Sequence, residues 1–208
     1  MKKETILAVL LFGGLWGLSE AVLGDILYTN DVPLASVPLT LIAFVILTLA
    51  TLYSARPGTA TLIAAFAMLY KFLNEPFFAC HILGILMLGL SYDLFVNTAR
   101  MRNRSLSAAL TVYGSYAGFA LMITYLFRYP HWVEGGFAMV AKHVGISGTL
   151  AAVLCAASVP IALGLEQRLK GRLPAIMRAR LASAAVPVFV AGMWVFAFTA
   201  YFLISRAA

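Results

Sequence analysis

Long apolar runs separated by short polar connections divide the chain into seven segments, at 5–27, 33–54, 58–73, 76–99, 105–127, 145–165 and 186–205. A membrane-spanning helix needs about 20 apolar residues, and most of these runs reach that length. The third is short, and only Asn74, Glu75 and Pro76 separate it from the fourth. A six-span count, with these two runs forming one broken or re-entrant unit, is therefore the alternative to seven. The pattern predicts an all-α polytopic membrane protein, a helical bundle of 6–7 transmembrane helices forming a single domain over residues 1–208. Pro160 falls inside the sixth run as an expected kink, and Pro187 opens the seventh as a helix start.

The first run, TILAVLLFGGLWGLSEAVLGDIL, carries Glu20 within its apolar sequence. At about 100° per residue, Gly13, Gly17, Glu20 and Gly24 fall in one narrow band of the helix surface. Small residues there allow close approach of another helix. A carboxylate facing lipid near the helix centre costs about 2.5 kcal/mol or more, so this band is expected to face the protein interior.

Composition strengthens the membrane assignment. Of 208 residues 62% are hydrophobic and 11% charged, with a mean hydropathy of +0.94, too few charges to cover a soluble domain. The net charge of +7 does not point to nucleic acid, because the basic residues lie in alternate connections. Lys2 and Lys3, Arg56, the group Arg100, Arg102 and Arg104, and the group from Arg168 to Arg180 fall on one side, against Arg128, Lys142 and Arg206 on the other. The positive-inside rule then predicts a cytoplasmic N-terminus in the inner membrane and, with seven spans, an outer C-terminus. The stretch 168–180, interrupted by Pro174, reads as a cytoplasmic surface helix. Cys80 and Cys155 both lie in apolar runs and indicate no redox compartment. The N-terminal run is too long for a signal peptide and has no small-residue cleavage site after it.

Polar residues gather in the predicted outer half, which holds five of the eight acidic residues and all three histidines. Lys71, Asn74 and Glu75 share one helix face at i, i+3 and i+4. His81 lies near the outer end of the fourth run beside Cys80, on a face continued by Gly84, Leu88 and Tyr92. Asp25, Asp31, His131, Glu134 and His143 add to this side from its loops. An outward-facing polar pocket is expected, with Glu20, Trp16, Lys71, Asn74, Glu75 and His81 as substrate-binding candidates. Each has a structural alternative, such as a Lys71–Glu75 pair at the interface or a His81 hydrogen-bonded within the bundle. The stretch PHWVEGGFAMVAKHVG is expected to be an interfacial helix or a lid anchored by Trp132 and Phe137. Asp93 is expected to pair with a basic residue near Arg100.

Several chemistries find little in the sequence. The run GISG resembles the serine motif of rhomboid proteases, but no histidine follows His143. Two axial haem histidines are lacking within spans, and no nucleotide-binding loop is present. Cys80, His81 and Glu20 are weak candidates for a transition metal, without a His-x-x-x-His or paired-cysteine spacing. No cofactor is implied.

The segments FGGLWGLSEAVLG, VPLASVP, the Arg-Pro-Gly turn and LYKFLNEPFFACHILGILMLGLSYDLF resemble the membrane-embedded substrate-binding (S) subunits of energy-coupling-factor (ECF) importers and proteins related to them. The likeness covers roughly the first half of the chain. It implies an all-helical subunit with a substrate pocket open to the outside and lidded by outer loops. It also implies contact between small residues of the first helix and a transmembrane coupling subunit that works with ATPases. Gly13, Gly17 and Ala21 would stand at the family's Ala-x-x-x-Ala positions. The family usually has six spans, and its metal-specific members begin with a histidine motif that MKKE lacks. The leading expectation is a subunit that binds a small, vitamin-like molecule from the outside. A membrane enzyme using His81 as base or Cys80 as nucleophile, and a non-catalytic assembly or regulatory subunit, are the alternatives.

Overall fold

The computed structural model describes the backbone of residues 3–51, 53–73, 79–172 and 175–207, and their side chains apart from those of 79, 165–184, 200 and 203–207. Every described element is a helix. In chain order they are α1 (Lys3–Thr29), α2 (Ser36–Ala50), α3 (Thr59–Ala67), α4 (Ala79–Tyr92), α5 (Arg104–Leu121), α6 (Pro130–Lys142), α7 (Thr149–Arg172) and α8 (Ala175–Ala207). A 3-10 turn, Met68–Leu73, prolongs α3, and wider π turns at Asp93–Thr98, Met122–Leu126 and His143–Gly148 follow α4, α5 and α6.

Four helical stretches among the described residues are long and apolar enough to cross a membrane: Lys3–Thr29, Cys80–Thr98, Arg104–Leu126 and Pro130–Gly164. Three shorter apolar helices, Ser36–Ala50, Thr59–Leu73 and Ala185–Thr199, accompany them. Large apolar side chains face outward along these helices, with Ile161 76% and Val188 73% exposed. Small ones fill the interior, among them Ala8, Ala43, Ala64, Ala108 and Ala151. That distribution suits a membrane-embedded protein, in which lipid solvates the apolar exterior and small residues let helices approach.

The sequence separates 128–144 from the sixth apolar run, whereas in the structure α6, its π turn and α7 form one helical path. The interruption lies earlier, at Gly136, whose φ of 54° and ψ of −148° break the helix inside α6. The expected surface helix at 168–180 comprises the end of α7 and the start of α8, with its side chains outside the described residues.

The glycine band of α1 packs against α3 and its 3-10 extension. A Cβ on Gly13 would lie 2.9 Å from the Ile63 carbonyl oxygen, and one on Gly17 would lie 2.9 Å from that of Ala67 and overlap the Tyr70 ring. Ala21 is buried with Tyr70 and Ala197. Gly13, Gly17 and Ala21, the expected partner-helix positions, are thus packed against the chain's own helices.

Asp93 is also reassigned. Its carboxylate accepts hydrogen bonds from the backbone N–H of Thr61 (2.7 Å) and Ala60 (3.3 Å), the Thr61 hydroxyl (2.6 Å) and the Asn97 amide (2.7 Å). It therefore caps the N-terminus of α3 from another helix, and among the described residues it pairs with no arginine. The need is local: the residue before α3 is Gly58, in a left-handed conformation with no side chain to offer as a cap.

Candidate functional site: a cavity beside Glu20

The end of α1, the beginnings of α2 and α4, the end of α5 and the π turn after α6 line a cavity of about 120 Å³. A single water needs about 10–15 Å³ on the same measure, so a small molecule fits. Its wall is mostly apolar with a few polar groups, the usual make-up of a ligand pocket.

Glu20 is the charged group on this wall, only 8% exposed. One carboxylate oxygen accepts from the Trp16 indole N–H at 3.3 Å, one helical turn earlier. The other lies 3.6 Å from the Lys71 Nζ. That ammonium also donates to the Glu20 backbone carbonyl at 2.7 Å, so one lysine grips both main chain and side chain of residue 20. Gly24 makes room for it: a Cβ there would stand 3.0 Å from Nζ. Lys71 thus neutralises Glu20 from behind, and it is not among the described lining residues. Glu20 keeps unused acceptor capacity toward the cavity, because an ionised carboxylate has about four lone-pair sites.

Two imidazole–phenol stacks form much of the remaining wall. His81 of α4 stacks on Tyr28 of α1, with ring centres 4.4 Å apart and planes at 23°. His143, in the π turn after α6, stacks on Tyr116 of α5 at 4.8 Å and 24°. The Tyr116 hydroxyl lies 3.2 Å from that of Thr40 on α2, tying α2 to α5 across the interior. Trp132 meets His143 edge-on at 5.1 Å and 84°, and also packs on Phe119. Trp132 therefore buttresses the cavity wall, while Phe137 is 77% exposed.

Of the residues expected from the sequence, Trp16, Glu20, Cys80 and His81 all line this cavity. Lys71 stands behind it, and Asn74 and Glu75 lie outside the described residues. Among the described residues no three of His, Cys, Asp and Glu come together as a metal site, so Cys80, His81 and Glu20 do not form one. Sequence reading missed Tyr28, Ser36, Thr40, Ser115, Tyr116 and Phe119, and placed His143 only among the outer loops. One signal was available for α5: Ser107, Thr111 and Ser115 recur every four residues, and all three are buried. The same spacing, Ser36, Thr40 and then Thr48, marks α2. Comparison of the chain with protein-family models, curated proteins and solved structures finds no match.

Proposed function

We propose that this chain is a membrane-embedded capture subunit that binds a small polar molecule, of vitamin-like size, in the cavity beside Glu20. The observation that supports this reading is the convergence of a neutralised but unsaturated carboxylate with two imidazole–phenol stacks on one cavity. A ligand ring between the aromatic walls gains dispersion and stacking, and its hydrogen-bond donors are met by Glu20 in a low-dielectric setting. In this reading the chain crosses the inner membrane six or seven times, with the shorter helices completing the count. Arg56 and Arg100 to Arg104 face the cytoplasm, and the cavity opens outside. A coupling subunit with its ATPases would dock on a face other than the Gly13–Gly17 band.

Gly84 provides the test. It lines the cavity, and a Cβ there would meet only the Phe119 ring, at 3.9 Å, so Gly84→Phe projects a ring into the space. Small molecules extracted from gently purified wild type and from Gly84→Phe are compared by mass spectrometry. One compound enriched near a 1:1 ratio with wild type, and depleted at least about tenfold in a normally folded variant, is expected. Identical extracts from the two proteins contradict the reading.

A further inference from the structure

A second cavity, of about 380 Å³, opens at the opposite end of the bundle, where α2 and α4 end and α5 begins. Its polar wall includes Thr51, Ser107 and two guanidinium groups, Arg100 and Arg104; Phe44 and Leu163 belong to its apolar part. No aspartate or glutamate is among its described lining residues. The nearby acid, Asp93, has both oxygens occupied by the start of α3 and by Asn97. Among the described residues neither arginine has an acidic partner, the Glu20–Lys71 pair being the ion pair present.

The local backbone adds to the positive potential. Arg100 sits at φ 46°, a left-handed conformation uncommon for a residue with a side chain. Its Nε donates to the Asn97 carbonyl at 3.3 Å, which fixes the guanidinium near the mouth. Arg104 is the first residue of α5, so the positive end of that helix dipole lies at the same mouth. Two arginines present planar forks suited to an oxyanion. The apolar wall beyond them suits a molecule that carries its anion on an apolar body.

From this we infer a second binding site, separate from the cavity beside Glu20, that takes the phosphate group of an amphiphilic phosphate ester between Arg100 and Arg104. A membrane phospholipid and a soluble phosphomonoester share that chemistry, and the test distinguishes them. Full-length protein in neutral detergent is titrated with dioleoyl phosphatidate, with dioleoyl phosphatidylcholine as the zwitterionic comparison, and followed by native mass spectrometry. Glycerol 3-phosphate is titrated in parallel by calorimetry. The variants are Arg100→Gln with Arg104→Gln, Thr51→Phe to block the cavity without removing charge, and Arg102→Gln, whose arginine is exposed in the same loop but does not line the cavity.

Saturable binding of phosphatidate above phosphatidylcholine, or of glycerol 3-phosphate, is expected, and the probe that binds identifies the source. Affinity should fall at least about tenfold in the double arginine variant and in Thr51→Phe, and stay within about twofold in Arg102→Gln. Absence of saturable anion binding overturns the proposal. So does an equal loss in Arg102→Gln, which would reduce the effect to general surface charge.

Discussion

Glu20 and Lys71 carry the most consequence at the scale of single residues. Both are buried, and each satisfies the other, Lys71 through the Glu20 carbonyl as well as its carboxylate. Removing one partner leaves an uncompensated buried charge, which costs about 3–5 kcal/mol, whereas removing both is far less damaging. Lys71→Met is therefore expected to unfold at markedly lower denaturant in mixed micelles, and Glu20→Gln with Lys71→Met to recover most of that loss. The double variant should still lose ligand, because the acceptor oxygens facing the cavity have changed. A Lys71→Met protein as stable as wild type would show that the pair contributes nothing. The sequence suggested both residues, since ionisable groups stand out in apolar runs, but it did not reveal which one faces the cavity. That depends on how the 3-10 turn carries Lys71 behind α1, a feature with no periodic signature.

At the scale of elements, α1 organises the bundle through its glycine band, and its packing partner is the chain's own α3. Gly17→Ala would drive a methyl into the Tyr70 ring and toward the Ala67 carbonyl, and overpacking of this kind costs about 1–3 kcal/mol. Gly192→Ala on α8, with open space around it, should be neutral or slightly stabilising through helix propensity. Equilibrium unfolding of the two variants checks this, and equal stabilities would mean that α1 does not meet α3 closely. The band itself was legible because i, i+3 and i+4 spacing is set by helix geometry alone. Which helix it meets was not, because small residues suit an internal and an external neighbour equally well. Asp93 shows the same limit: its role as a cap for α3 spans more than thirty positions of sequence, and nothing local to SYDLF records it. The π turn that brings His143 to the cavity is likewise invisible to a reading based on a 3.6-residue period.

For the molecule as a whole, the apolar exterior and the small-residue interior were readable, because both follow from transfer energies and close helix packing, whereas the start of the sixth run was not, since α6 and α7 form one helical path. The aromatic walls were harder to foresee. Tyr28 with His81, and Tyr116 with His143, are pairs distant in sequence that only the bundle topology brings into stacking contact. The fold thus presents two chemically different cavities at its two ends, an aromatic one beside a neutralised carboxylate and a basic one beside Arg100 and Arg104. The measurement that tests the central claim most directly is a cryo-EM map of the wild-type protein in lipid nanodiscs, with no ligand added after purification. Compact density for a small molecule, bounded by Trp16, Glu20, His81 and Tyr116 and absent from the Gly84→Phe map, is the result predicted. A cavity filled by an acyl chain continuous with the bilayer, or by solvent alone in wild type and variant alike, would contradict it.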